Sequence, residues 1–235
     1  MSEALLAVTG LTKRFGGFTA LNEISMQVAP GERLGLIGPN GSGKSTFVNC
    51  ISGTLPIDEG SVTLGGQRID GLAPHQRTRL GLARSFQLPR PFASLTVAEN
   101  LRVPRLYAGR GGTATEAELL EMVGLGDKAG QRPGDLTQVE MRKLELARAM
   151  AANPRLLVAD EAMAGLSNSE VDEILALLLR LNEQGVTIVL IEHIMRAVMA
   201  FSQRLVCLVA GRKVADGDPQ DVIRNDDVLK AYLGE

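Results

Sequence analysis

One segment constrains this chain more than any other. Gly38-Pro39-Asn40-Gly41-Ser42-Gly43-Lys44-Ser45 fits the pattern G-x-x-x-x-G-K-[ST] without a mismatch, and Thr46 follows. The glycines let successive backbone N–H groups wrap a phosphate with no Cβ in the way. A helix opening there aims its positive end at the anion. Lys44 then bridges the outer phosphates, and the Ser45 hydroxyl is placed to bind Mg²⁺. An ordinary glycine turn is the bland alternative. The apolar strand Arg33 to Ile37 before the loop and the helix-compatible run Thr46 to Ile51 after it favour nucleotide binding. The loop leaves ATP and GTP open, and no guanine-reading N-K-x-D segment accompanies it.

The surrounding sequence predicts an α/β frame. Leu156 to Ala159 is a continuous apolar run, as a strand buried on both faces requires, and Val186 to Ile191 and Leu205 to Val209 repeat it. Val171, Ile174, Leu175 and Leu178 follow the i, i+3, i+4, i+7 spacing of an amphipathic helix that opens at Ser169 and stops at Gly185. Strands alternating with helices argue for a parallel sheet covered on both faces. Nearer the start, Ile24, Met26 and Val28 alternate with polar residues before the turn Pro30-Gly31, and Gly65-Gly66 separates two hairpin strands. An antiparallel element therefore accompanies the core. From about Ser94 to Ala152 the character is helical. Thr96-Val97-Ala98-Glu99 has the spacing of a capping box, Glu116 to Val123 continues as helix, and Gly109 to Gly112 is a loop between them. This region reads as an inserted lobe. Asp218-Pro219 opens a last helix, and His75, after Pro74 in a basic loop region, is given no role.

Two further features suit a nucleotide site. Asp160-Glu161 closes the strand Leu156 to Ala159, and ligands of parallel sheets bind at the carboxyl ends of strands. Asp160 is placed to hold Mg²⁺ through its water shell, and Glu161 to orient and deprotonate an attacking water. A solvated strand-end Asp-Glu is common, so the pair gains its weight from the phosphate loop before it. His193 follows the next strand, within reach of Glu161 and of a γ-phosphate oxygen.

Composition excludes several classes. With 25 basic and 27 acidic residues the net charge is −2, which gives nucleic acid no electrostatic claim as a partner. Hydrophobic residues at 45% build a core, and no run approaches the ~20 apolar residues of a membrane span. No signal peptide is visible, so the expected location is the cytosolic side. Cys50 and Cys207 lie far apart in apolar surroundings and read as reduced core thiols.

Taken in order, Gly38 to Thr46, Ala83-Arg84-Ser85-Phe86-Gln87, Leu144-Glu145-Leu146-Ala147-Arg148-Ala149, Asp160-Glu161, Ile191-Glu192-His193 and the tail Ala231-Tyr232-Leu233-Gly234-Glu235 resemble the ATP-binding-cassette ATPases over essentially the whole chain. Within that family they most resemble the ATPase subunits of branched-chain (hydrophobic) amino-acid importers. The resemblance implies a P-loop NTPase core of RecA type with an antiparallel β-subdomain and an inserted α-helical subdomain. The whole of 1–235 is then one domain, with a nucleotide-binding core over about 1–87 and 153–235 and a helical subdomain over about 88–152. It implies a Mg²⁺-dependent ATPase in which Gly38, Asn40, Gly41, Ser42, Gly43, Lys44, Ser45 and Thr46 bind ATP. Phe15 stacks on adenine, Gln87 senses Mg²⁺ and γ-phosphate, and Glu161 and His193 serve hydrolysis. Implied partners are a second ATPase subunit, homo- or heteromeric, transmembrane permease subunits on the cytoplasmic face of the membrane, and indirectly a solute-binding protein. The implied work is import of branched-chain amino acids or related small polar solutes. An ATP-binding regulatory partner, a task such as lipid extraction, and a small-molecule kinase are competing readings; the last does not explain the later motifs.

The chain departs from the family pattern at the segment presented to a partner's ATP. Where that family usually has Leu-Ser-Gly-Gly-Gln, this chain has Leu136-Thr137-Gln138-Val139-Glu140. Thr137 with Glu140 keeps a capping box, but Val139 adds bulk and Glu140 adds negative charge unless it is turned back into the cap. Ala162 replaces the proline usual after the acidic pair, and Ser167 stands where Asp is frequent.

Overall fold

The computed structural model describes residues 4–86, 88–109 and 114–233. Strands β1 (Leu6–Phe15) and β2 (Phe18–Val28) join through Gly16-Gly17, and Gly16 takes a φ of 58° that suits a residue without Cβ. β3 (Arg33–Ile37) then leaves this layer for the central sheet and feeds α1 (Lys44–Ser52). The hairpin β4 (Glu59–Leu64) and β5 (Gln67–Arg68) returns to the first layer, giving a four-stranded antiparallel sheet in the order β2-β1-β4-β5. Next come α2 (Pro74–Leu80), β6 (Leu82–Ser85) and the helical segment, made of α3 (Val97–Ala108), α4 (Glu116–Met122) and α5 (Gln138–Met150). The chain finishes with β7 (Leu156–Asp160), α6 (Asn168–Glu183), β8 (Thr187–Ile191), α7 (Met195–Phe201), β9 (Arg204–Val209), β10 (Arg212–Gly217), α8 (Pro219–Ile223) and α9 (Asp226–Leu233).

The second sheet runs β10-β9-β3-β8-β7-β6, parallel except where β10 pairs antiparallel with β9. Every residue of β7 and β8 is buried. Their side chains alternate between two cores, as a period of two dictates. Leu157, Ala159, Ile188 and Leu190 pack with α5 and α6, while Leu156, Val158, Val189 and Ile191 pack with α1 and the antiparallel layer. α5 contributes Leu144, Leu146 and Ala147 to the first of these cores, so the helical segment and the sheet share buried surface.

Three local readings are corrected. Pro74 and His75 belong to a helix, not a loop: proline sits at the first helical position, where its missing N–H costs nothing, and the Gln76 side chain accepts from the Ala73 N–H at 2.9 Å. α6 opens at Asn168 because the Ser167 side chain accepts from the Glu170 N–H. The helix opened by Asp218-Pro219 is not the last, since Asn225 takes the N–H groups of Asp227 and Val228 and starts α9. The Gly109 to Gly112 loop and the Gly234-Glu235 tail fall largely outside the described residues, as does Gln87.

α2 matters to the site through Arg77, which is 1% exposed. Its guanidinium donates to the carbonyls of Cys50 and Ile51 in the last turn of α1 at 2.7 and 2.8 Å, and to those of Leu72 and Asp70 at 2.9 Å each. A cation thus caps the helix that follows the glycine loop, taking the Ile51 carbonyl and joining the Gly53 N–H on that of Cys50. Arg77→Met is expected to lower unfolding free energy by about 3 kcal/mol, because it strands several buried carbonyls. Urea unfolding measures this, and a loss below about 1 kcal/mol would contradict the assignment.

Candidate functional site

The site forms where three parallel strands end side by side. Ile191 of β8 pairs with Leu36 of β3 on one side and with Asp160 of β7 on the other. The glycine loop after β3 and the acidic pair of β7 therefore stand level, one strand apart. The loop holds φ values of 148° at Gly38, 78° at Gly41 and 104° at Gly43. Gly38 has a second reason to lack a side chain, for a Cβ there would lie 2.1 Å from the Leu208 carbonyl oxygen. Lys44 Nζ donates to the carbonyls of Gly38 at 2.6 Å and Pro39 at 3.1 Å, which holds the ammonium within the loop. Burial lowers the Lys44 pKa from its ordinary value, against the pull of the Glu161 and Asp160 carboxylates.

A cleft of 320 Å³ is lined by Asn40 to Thr46, by Glu161 and His193, and by Phe15, Phe18 and Ala20 from the β1–β2 hairpin. Phe15 and Phe18 are paired in register across that hairpin and are 47% and 66% exposed, so two aromatic faces border the cleft. Phe18 had no role in the sequence reading. Glu161 takes a φ of 49°, a left-handed conformation costing a residue with a Cβ about 1–3 kcal/mol. It is held there by its N–H, which donates to the Ile191 carbonyl at 2.9 Å. Its Oε1 lies 3.1 Å from His193 Nε2. A carboxylate so held, beside an imidazole and across from a nest of backbone N–H groups, is equipped to take a proton from a water near a bound phosphate.

Asp160 lies deeper. Its Oδ2 accepts from Arg84 Nη2 at 2.7 Å, and Arg84 Nη1 donates to Asn49 Oδ1 of α1 at 2.7 Å. Ser45, Asp160, Glu161 and Arg84 line a second cavity of 370 Å³ next to the cleft. A hydroxyl and a carboxylate there are hard oxygen donors, and Mg²⁺ takes few protein ligands when phosphates and water complete its shell, so the residues fit that ion. Arg84 and Glu192 are the participants that sequence reasoning left without roles. Glu192 is 2% exposed, accepts from the Met163 N–H at 2.7 Å, and so ties the end of β8 to the turn after Glu161. Burial raises its pKa, opposed by the N–H groups of Met163 and His193. A charged residue on a strand, as Arg84 is, or just after one, as Glu192 is, gives no periodic signal of such a job. Cys207, behind the loop, has its thiol pushed up to about 11 by burial and is free, as is Cys50.

The altered segment Thr137 to Glu140 stands apart from this cleft, at the start of α5. Thr137 N–H donates to Glu140 Oε2 at 2.8 Å and Glu140 N–H to Thr137 Oγ1 at 3.4 Å. Glu140 Oε1 also meets Lys128 Nζ at 2.7 Å, and these bonds hold its carboxyl down at about 2. Its charge is thus turned into the cap and neutralised. Gln138 and Thr137 are exposed, and Gln138 Nε2 lies over Gly165. From the same helix Arg142 Nη2 donates to the Ala164 carbonyl at 3.0 Å, so the start of α5 is tied to the turn that follows the acidic pair.

Known proteins share this fold. Residues 21–164, more than half of the chain, match the family model described as ABC transporter. Residues 212–235 match the model described as branched-chain amino acid ATP-binding cassette transporter. The high-affinity branched-chain amino acid transport ATP-binding protein BraF of Pseudomonas aeruginosa is 39% identical, over 100% of both chains. An ATP-binding cassette of an ABC transporter, solved in its ADP conformation, superposes with a TM-score of 0.90 at 30% identity and covers 100% of both chains. A dimeric cassette in a post-hydrolysis state bound to ADP and Pi gives a TM-score of 0.80 at 27% identity, over 91% of this chain and 98% of that one. The chain belongs to the ABC transporter family, as one of its ATP-binding cassettes.

Proposed function

We propose that this chain is the Mg²⁺-dependent ATP-hydrolysing subunit of an importer for branched-chain amino acids or related small polar solutes. The observation that carries the reading is Glu161, held in a strained backbone conformation with its carboxylate 3.1 Å from His193 and facing the glycine loop in one cleft. Backbone N–H groups of residues 41–46 and the Lys44 ammonium bind the phosphates, and Phe15 carries the base. Glu161 takes the proton of a water as the water oxygen forms its bond to the γ-phosphorus. The bond from that phosphorus to the bridging oxygen breaks, and ADP and phosphate leave. His193 orients Glu161 and donates toward a γ-phosphate oxygen. Ser45, Asp160 and Gln87 would hold Mg²⁺, which would supply charge neutralisation for the phosphates. The similarity to BraF supports the solute class, which the subunit itself does not touch.

In this reading residues 88–152 form a helical lobe on a core of 1–87 and 153–235. Two cassettes pair so that each ATP lies between one subunit's glycine loop and the other's Thr137 to Glu140, in line with the dimeric neighbour. Permease subunits on the cytoplasmic face of a membrane receive the motion; among the described residues no helix is long and apolar enough to cross one. A second reading is favoured by one observation: Gln138 and Val139 stand where the family has glycines. A heteromeric pair with an intact partner segment then has one strong and one weak site, and this chain acts partly as a regulatory subunit.

Glu161→Gln is expected to reduce the rate of ATP hydrolysis about 10²- to 10⁴-fold while ATP binding is retained. Unchanged turnover would remove Glu161 from the mechanism. Restoring Gln138→Gly with Val139→Gly is expected to raise steady-state turnover of the isolated chain several-fold. Equal rates would show that the altered segment does not limit the reaction.

A further inference from the structure

The C-terminal helix reaches the phosphate loop from behind. α9 buries Val228, which packs with Ile37 and Cys207. Ile37 is the last residue of β3 and immediately precedes Gly38. Tyr232 lies four residues after Val228 and so shares its helix face, one turn further along. There its phenol oxygen accepts the N–H of Gly38 at 2.9 Å. Neither Gly38 nor Tyr232 lines the nucleotide cleft, so this bond is made outside it.

Gly38 is the pivot of the loop. Its φ of 148° is open to glycine alone, and the residue is free to rotate about that bond unless both flanking peptides are held. The carbonyl side is held by Lys44 Nζ at 2.6 Å and the N–H side by Tyr232. The ammonium shares its three donors between these carbonyls and whatever fills the cleft, whereas Tyr232 is not part of the cleft lining. Burial raises the Tyr232 pKa above its ordinary value, so the phenol stays neutral at physiological pH.

We propose that Tyr232 is a positioning residue for nucleotide binding: its hydroxyl fixes the peptide entering the glycine loop, and the segment 226–233 thereby sets the affinity of the site for ATP. The proposal rests on the nucleotide site assigned above. It gives a role in the cassette to the C-terminal segment that matches a family model of its own.

The test is Tyr232→Phe in the full chain, which removes one oxygen and keeps the ring. ATP affinity is measured by calorimetry in EDTA, where hydrolysis does not intervene, beside Leu229→Ala as a same-helix control, with hydrogen exchange of the Gly38 amide read in each. The expected result is a dissociation constant raised roughly 2- to 10-fold, the span of one net hydrogen bond, with faster exchange at Gly38 and neither change in Leu229→Ala. An unchanged constant, or equal weakening in Leu229→Ala, would overturn the proposal. Failure of the unaltered chain to bind ATP would instead overturn the nucleotide reading itself.

Discussion

At Gly38 the chain passes so close to the Leu208 carbonyl that no side chain fits, and the rest of the site depends on that crossing. β3 lies between β9 and β8 in the sheet, so its exit runs beside the end of β9. The glycine lets the backbone turn there into the loop that leads to α1 at Lys44, with the first N–H groups of that helix facing the cleft. Lys44 folds back onto the carbonyls of Gly38 and Pro39, and Arg77 donates to the other end of the helix. The proposed phosphate cradle is therefore a property of three packed elements rather than of a flexible loop.

The side of the cleft that carries Glu161 and His193 depends on register. Ile191 is the common neighbour of Leu36 and Asp160, so a shift of one residue in β8 would carry His193 away from Glu161 and turn buried side chains to the wrong core. Glu192, buried and bonded to the Met163 N–H, fixes the same junction from below. Arg142 continues the chain of contacts from the turn at Ala164 into α5. The helical segment is thus joined to Glu161, the proposed base, through backbone and arginine as well as through the shared apolar core.

Much of this was legible because it is written in local patterns. β3, β7 and β8 are short unbroken apolar runs, and the boxes at Thr96 and Thr137 announce their helices before any tertiary contact is considered. What stayed hidden is long-range. Pro74 suggested a loop because proline punctuates sequence in both settings, and nothing local reveals that Arg77 ends up buried against α1. Arg84 reads as an ordinary charged residue until β6 is placed beside β7, which brings it to Asp160. Tyr232 reads as part of a tail motif until α9 folds under the loop. The contacts of Arg77, Arg84 and Tyr232 each join residues more than twenty positions apart, which periodicity does not encode.

The central claim is that the Gly38 to Thr46 loop with Lys44 is the ATP-phosphate site. Calorimetric titration of ATP into the chain and into Lys44→Ala tests it most directly, with melting temperature confirming that both are folded. The account predicts a dissociation constant raised at least about tenfold in Lys44→Ala, the loss expected when charged hydrogen bonds to phosphate are removed. Equal affinities in two folded proteins would contradict it and place the nucleotide elsewhere.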